Sequence, residues 1–226
     1  MDLKWFAETH LGVGNPSLPI WYVGPEPAGG STDEEIALVL ADAVRQEKPI
    51  TNLRDHLINI GQTKWFDRKV SPTQPYWRRI AWLELVARLG KDEVTIDDAR
   101  NFQVSHMLSK ASRRFDSLCP LMLETSALPS KSTKLWPYEK HGLPSRIEYM
   151  ARILPKRMKQ INMLICTYRP HAVVMLGAFH DRWAMIQRVE GVVYKVLPHP
   201  NAHGYTDNDW TAFGLSLRLE IAQARA

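Results

Sequence analysis

The sequence predicts a single α/β domain, a three-layer α/β/α sandwich around a central, mostly parallel sheet of four strands. Three observations predict this fold. The chain has 226 residues, which is enough to bury one sizeable core. Its composition, 45% hydrophobic and 23% charged, is that of a globular protein and excludes disordered, collagen-like and coiled-coil classes. Short apolar runs alternate with stretches of helical spacing, a pattern typical of parallel strands covered by helices on both faces.

Four short apolar runs rich in β-branched residues predict the strands. They are residues 20–23, 121–123, 172–176 and 192–197. Runs of this length, bounded by polar, glycine or proline residues, indicate strands that are mostly buried rather than short helices.

Five further stretches predict helices, from their apolar spacing and their start signals. The signals are a capping box at 32–35 followed by Ile36, Val39, Leu40 and Ala43; spacing at Ile80, Leu83, Val86 and Ala87; a start at 95–98; spacing at Met158, Ile161 and Ile165 after Pro155; and a closing helix at 209–224.

The segment at about 47–76 is the least regular part of the chain. Prolines and a glycine alternate there with aromatic and basic residues. Long structureless connections in compact domains are usually lids or binding loops, and aromatic residues argue against disorder. We therefore predict an irregular functional insertion within one domain spanning 1–226, with an ordinary surface excursion as the alternative.

Charge, cysteine content and the amino terminus limit the function classes. A net charge of +5 permits an anionic partner such as nucleic acid without requiring one. The two cysteines, Cys119 and Cys166, adjoin apolar runs and predict reduced, buried thiols; two are too few for an iron-sulfur cluster or a disulfide framework. With no signal pattern and no apolar stretch of about 18 residues, we expect a soluble cytoplasmic protein with no membrane partner.

The loops that follow the predicted strands are the candidate site, because ligands bind beyond the carboxyl ends of the strands in an open parallel sheet. The first strand is followed by 24–30, in which Glu26 lies between two prolines. The second is followed by 124–129, and the fourth by 198–205, in which His199 also lies between two prolines. Proline restricts the backbone, so both side chains are expected to be pre-positioned.

These motifs, in this order, resemble those of the uracil-DNA glycosylase superfamily. Gly24-Pro25-Glu26-Pro27 is similar to its first motif, Gly-x-Asp/Asn/Ala-Pro, with Glu in the variable acid position. His199-Pro200-Asn201 matches two of the three positions of its last motif, His-Pro-Ser, and 169–177 looks like the segment that leads into the third strand. The resemblance covers roughly 20–210. It implies a DNA glycosylase of the branches without an iron-sulfur cluster, with no cofactor and no metal.

The resemblance also implies a role for each candidate residue. Glu26 would orient or deprotonate the attacking water and stabilise the cationic sugar, and His199 would donate a hydrogen bond to the base O2. The implied base-binding residues are Gly24, Pro27, Ala28, Ser126 and an aromatic side chain from among Tyr76, Trp77 and Phe66. The implied contacts to double-stranded or single-stranded DNA are Asn201, His203, Tyr205, Lys131, Lys134, Arg78, Arg79 and Arg68, with His203 or Tyr205 as the wedge.

Two departures from the family pattern suggest an enlarged base pocket. Ser126 stands where several members have a base-reading asparagine, and Ala28 stands where the uracil-specific branch has a tyrosine. Both residues are smaller than those they replace. We therefore expect a C5-substituted pyrimidine as the target, such as the hydroxymethylated or glucosylated cytosine of phage DNA in a defence role, with repair of uracil or damaged bases as the alternative.

Other classes of function remain open at this point. A nonenzymatic binder of modified DNA would keep the fold and the basic charge. An enzyme acting on a free nucleotide or nucleoside is also compatible, although the chain lacks the glycine-rich signatures of dinucleotide and P-loop sites. A metal hydrolase is disfavoured, because Pro200 and Gly204 interrupt the His199–His203 spacing and 207–209 is typical of a helix cap.

Overall fold

The computed structural model describes residues 3–27, 32–45, 48–66, 74–110, 117–130 and 136–226. The helices are α1 (Leu3–Thr9), α2 (Asp33–Arg45), α3 (Leu53–Asn59), α4 (Pro75–Leu83), α5 (Ile96–Phe102), α6 (Arg146–Tyr168), α7 (His180–Trp183) and α8 (Asp207–Arg225). The strands are β1 (Gly12–Val13), β2 (Ile20–Gly24), β3 (Ile50–Thr51), β4 (Leu121–Glu124), β5 (Ala172–Leu176) and β6 (Val193–Leu197).

The described strands form a single, mostly parallel sheet in the order β3-β1-β4-β2-β5-β6. β2 lies between β4 and β5 and pairs in parallel with both, β6 extends the sheet beyond β5, and β1 is antiparallel to β4. The four predicted strands are confirmed as β2, β4, β5 and β6. The predicted number of four is wrong, since the described chain holds six. β1 and β3 have two residues each, too few to leave an apolar run in the sequence.

Successive residues of β2 enter different parts of the core, because side chains alternate across a sheet. Trp21 and Val23 pack in a cluster with Met158 of α6 and Trp183 of α7. Tyr22 belongs to a second cluster, which includes the buried residues of α4, α5 and α8. Helices therefore cover the sheet on both faces, as the mixed α/β prediction requires.

A buried arginine connects α6 to α1 and to the end of β4. The guanidinium of Arg157 donates from Nη1 to the carbonyl oxygens of Ala7 (3.1 Å) and His10 (2.6 Å), and from Nη2 to that of Glu124 (2.6 Å). Arg157 is fully buried, and burial lowers its pKa to about 10. These bonds fix the backbone at the carboxyl end of β4.

The predicted irregular insertion is wrong for most of its length. Residues 50–66 contain β3, α3 and a 3-10 turn at Thr63–Phe66, and α4 begins at Pro75. Asn52 caps α3 by accepting from the backbone N–H groups of Arg54 and Asp55, a local signal that the prolines and aromatic residues around it obscured. Residues 67–73 lie outside the described residues.

The predicted start of the fourth helix is also wrong. α6 begins at Arg146, where Ser145 caps it by accepting from the backbone N–H of Glu148, and it contains Pro155 within its length. A proline inside a helix costs a hydrogen bond. Packing on both sides of Pro155 compensates for the lost hydrogen bond, since Ile153 and Met158 are both buried.

The predicted starts of α2 and α5 are confirmed, whereas α8 begins at Asp207, slightly before the predicted start at 209. The Thr32 hydroxyl accepts from the backbone N–H of Glu35 at 3.2 Å at the start of α2. Thr95 and Asp98 form a capping box on α5, and Thr206 and Asp209 form one on α8. Each is a local interaction between residues three apart, and so can be read from sequence.

Two expectations about composition have different outcomes. Cys119 is buried as predicted, whereas Cys166 is exposed on α6, so the prediction of two buried thiols is wrong for Cys166. No helix in the described residues is long and apolar enough to cross a membrane.

We predict that Gly214→Ala destabilises the fold. A Cβ at Gly214 of α8 would lie 2.7 Å from Cβ of Val86, closer than packed carbons approach. Alanine favours a helix over glycine by about 1 kcal/mol, but the forced displacement should outweigh this and lower the free energy of unfolding by about 1–3 kcal/mol. Urea unfolding measures the change. Adding Val86→Ala should restore part of it, and an unchanged midpoint for Gly214→Ala would contradict this packing.

Candidate active site

The loops after β2, β4, β5 and β6 lie at one edge of the sheet, because these strands are mutually parallel. From β2 the chain passes first to β3 and β4 on one side and later to β5 on the other. The carboxyl ends of β2 and β5 therefore flank a topological switch point, where open α/β sheets bind their ligands.

The loop after β2 is bound tightly to the loop after β4. The carbonyl oxygen of Pro25 accepts from the N–H of Ser126 (3.0 Å), the hydroxyl of Thr125 (2.7 Å) and Nη1 of Arg182 (3.3 Å). The carbonyl of Pro27 accepts from the N–H of Ser130 at 3.0 Å. Glu26 thus lies on backbone that is fixed on both sides, as its flanking prolines predict.

The Glu26 carboxylate forms an ion pair with Arg146, the first residue of α6. Nη2 of Arg146 lies 2.7 Å from Oε1 and 2.6 Å from Oε2 of Glu26, and Nη1 donates to the Ser130 hydroxyl at 3.0 Å. Both side chains are mostly buried, with Glu26 10% exposed. The arginine orients the carboxylate through charge-assisted hydrogen bonds. The sequence analysis missed this partner, which lies 120 positions away.

His199 follows β6 and presents a defined tautomer. The backbone N–H of Asn201 lies 3.2 Å from Nδ1 of His199 and can only donate, so Nδ1 accepts and the neutral ring carries its proton on Nε2. Burial lowers the pKa of His199, which favours the neutral ring. Nε2–H is therefore available as a hydrogen-bond donor.

Tyr76, in the first turn of α4, lies between the ends of β2 and β6. Its ring centroid is 5.8 Å from that of His199, and its hydroxyl would lie 3.2 Å from a Cβ placed on Gly24. Glycine at position 24 thus leaves room for the phenol. The Tyr76 hydroxyl is buried without a hydrogen-bond partner among the described residues. Burial, reinforced by the charge of Glu124, raises its pKa well above the usual value.

Glu124, the last residue of β4, is the functional candidate that the sequence analysis missed. Its Oε2 is buried and has no hydrogen-bond partner within the described part of the chain. Burial raises the pKa of Glu124 to about 8; the charge of Arg157 opposes this rise and that of Glu26 adds to it. A carboxyl group next to two other candidates, with a pKa shifted this far, is a signature of functional sites. Its place at the end of a predicted strand was the available signal.

Ser126, one of the predicted base-binding residues, lies in the turn after β4. The residue is fully buried. Its hydroxyl accepts from the N–H of Leu128 at 3.3 Å and lies 3.5 Å from the Tyr149 hydroxyl. It therefore serves the turn after β4, while Glu124 is the polar residue beside Tyr76.

Of the three aromatic candidates, the structure brings only Tyr76 to His199. Trp77 packs edge-on against Trp65, with ring centroids 5.9 Å apart. Phe66 lies under the guanidinium of Arg54, at 4.4 Å from the ring centroid. Both rings pack against the core on the α4 side of the sheet.

Arg79 supports the loop after β6 rather than a surface contact. It is 8% exposed, forms an ion pair with Asp207 and donates to the carbonyl of Tyr205 at 3.3 Å. Arg78 reaches the same carboxylate at 3.9 Å. The loop residues Asn201, His203 and Tyr205 are exposed, as contact residues must be. Four further candidates lie outside the described residues: Ala28, Arg68, Lys131 and Lys134.

The site thus combines a carboxylate paired with an arginine, a neutral imidazole donor, and a carboxyl and a phenol whose buried oxygens have no hydrogen-bond partner in the part of the chain that the structure describes. Within the described residues, no group of three or more His, Cys, Asp or Glu side chains is placed to hold a metal ion. Comparison with protein-family models, with curated proteins and with solved structures finds no match to this chain.

Proposed function

We propose that this protein is a monofunctional DNA glycosylase, built as a three-layer α/β/α sandwich, that flips a modified pyrimidine nucleotide and hydrolyses its N-glycosidic bond to leave an abasic site. The observation that carries the proposal is the meeting of the Glu26 loop, Glu124, Tyr76 and His199 at one edge of the sheet. The acid comes from near the beginning of the chain and the imidazole from near its end.

The proposed reaction breaks the bond between the sugar C1′ and the pyrimidine N1. The bonding electrons leave with the base, so positive charge develops on the sugar and negative charge on the base. Glu26 stabilises the cationic sugar, orients the water whose oxygen bonds to C1′ and accepts the proton that this water releases. The departing base takes up a proton from solvent. His199 donates its Nε2–H to the base O2, where negative charge develops. Arg146 holds the Glu26 carboxylate in its orientation.

A base within a duplex does not reach such a crevice, so the nucleotide must be flipped out of the stack. Tyr76 is the aromatic ring placed to contact the base, since it lies against His199. The exposed His203 and Tyr205 are placed to fill the vacated position in the stack, because they follow His199 in the same loop.

The partnerless carboxyl of Glu124 favours a cytosine derivative. In its protonated form it donates one hydrogen bond and accepts another, which complements the acceptor N3 and the N4 amino group of cytosine. Ser126, withdrawn into its turn, leaves this edge to Glu124. We propose a C5-substituted cytosine, such as a hydroxymethylated or glucosylated base of phage DNA in a defence role, as the target, with uracil or a damaged base as the alternative outcome.

We predict that Glu26→Gln and His199→Ala abolish or strongly reduce formation of abasic sites. Loss of one donor to a developing anion costs on the order of 10²–10³ in rate, and loss of the Glu26 charge should cost at least as much. The assay compares duplexes containing uracil, 5-hydroxymethyluracil and glucosylated hydroxymethylcytosine. Glu34→Gln, an exposed carboxylate on α2, is the matched control.

Four results would decide against the proposal or against its target base. Unchanged activity in both variants would contradict the proposed mechanism. Binding of modified DNA by the wild-type protein without cleavage of any substrate would favour a nonenzymatic binder. Cleavage of free nucleosides or nucleotides alone would favour an enzyme that acts on those small molecules. Activity confined to uracil would reject the C5-substituted target.

We predict that kcat/KM on the cytosine substrate falls as pH rises through about 8. The raised pKa keeps Glu124 protonated below this pH; above it, both carboxylate oxygens are acceptors and oppose the cytosine N3. Glu124→Gln keeps one donor and one acceptor at every pH, so its activity should persist and the alkaline decline should disappear. A pH–rate profile measures this, and the same decline in Glu124→Gln would assign it to another group.

A further inference from the structure

Arg182 lies at the switch point but belongs to no motif that the sequence analysis singled out. It is part of α7, the short helix after β5. Its Nη1 donates to the Thr125 hydroxyl at 2.9 Å and to the carbonyl of Pro25 at 3.3 Å. Its guanidinium carbon lies 4.7 Å from the ring centroid of Phe179. One edge of the guanidinium and one of its faces are thus fixed by the protein.

The other edge of the Arg182 guanidinium is unused. Its Nη2 and Nε groups have no hydrogen-bond acceptor among the described residues, and the side chain is partly exposed. A guanidinium presents paired N–H groups that match carboxylate and phosphate oxygens. This edge is therefore oriented and able to accept an anion.

The charged groups around Arg182 leave the Nη2 and Nε edge of its guanidinium available to an anion. Burial lowers the pKa of Arg182; the charge of Glu26 opposes this effect and that of Arg146 adds to it. The three groups are therefore within electrostatic reach of one another. Both oxygens of Glu26 are already bound by Arg146, so the local net charge is positive and the carboxylate does not satisfy Arg182.

We propose that Arg182 binds a phosphate adjacent to the target nucleotide, so that the substrate is a nucleotide within a phosphodiester chain rather than a free nucleoside. This inference rests on the proposed function. The phosphates of a nucleotide are attached to the same sugar whose C1′ faces Glu26, and Arg182 holds the backbone of the Glu26 loop. One residue thus couples phosphate binding to the position of the carboxylate.

The test measures binding of a short single-stranded oligonucleotide whose target cytidine carries a 2′-fluoro group, which resists cleavage, over a series of salt concentrations. Losing a hydrogen bond to a charged group should weaken binding about tenfold in Arg182→Gln, and losing one phosphate contact should reduce the slope of log K against log salt by about 0.7. Arg182→Lys should keep the slope. Arg188→Gln, an exposed arginine in the same segment, is the matched control.

A second measurement does not depend on the variants folding normally. Oligonucleotides in which one phosphate flanking the target is replaced by a neutral methylphosphonate are bound to the wild-type protein. At the contacted position the replacement should weaken binding about tenfold, and Arg182→Gln should be insensitive to it. Equal effects of the replacement on both proteins would overturn the inference, as would an unchanged salt slope in Arg182→Gln.

The failure of this inference is distinguishable from that of the proposed function. Phosphate-dependent binding through Arg182 without formation of abasic sites would support the anion site and contradict the glycosylase. Cleavage whose rate does not depend on the flanking phosphates or on Arg182 would support the glycosylase and contradict the anion site. Absence of any nucleic-acid binding by the wild-type protein would overturn both.

Discussion

The parallel pairing of β2 with β4 and β5 is the constraint on which the candidate site depends. Parallel strands end at the same edge of a sheet, so this pairing brings together loops that are separated by about a hundred residues or more along the chain. Trp21, Tyr22 and Val23 are fully buried, so the central strand contacts the core on both faces. A shift in its register would move every side chain to the opposite face, which ties the geometry of the site to the packing of the core.

Cross-links between the loops make the site more rigid than loops alone. The Pro25 carbonyl is shared by Ser126, Thr125 and Arg182, and Glu26 is bound to the first turn of α6. Such preorganisation avoids rearrangement when charge develops on a substrate. The exceptions are Glu124 and Tyr76, each with a buried oxygen that has no hydrogen-bond partner among the residues that the structure describes. A buried group without a partner costs about 1–3 kcal/mol, and a ligand that supplied partners would recover that energy.

Prediction from sequence succeeded where the signal was local and failed where it was distributed. The β-branched runs identified β2, β4, β5 and β6, and Thr32 and Thr95 marked the starts of α2 and α5. β1 and β3 were missed, because a strand of two residues is too short to show an alternating pattern of apolar and polar residues. The segment 50–66 was hidden by the prolines that flank it and by its aromatic residues. α6 was predicted too short because a proline such as Pro155 is usually a helix boundary, whereas here packing on both sides of it outweighs the lost hydrogen bond.

The positions of β2, β4, β5 and β6 along the chain, the caps of α2 and α5 and the proline-flanked positions of Glu26 and His199 follow from sequence alone, because each depends on residues within a few positions of one another. Three further features could be seen only in the folded chain: Arg146 pairs with Glu26, Tyr76 rather than Trp77 or Phe66 meets His199, and Glu124 has a buried oxygen near Tyr76. These features depend on contacts between distant segments and on burial. Burial raises the pKa of the Glu124 carboxyl, whereas the Glu26 carboxylate is paired with Arg146.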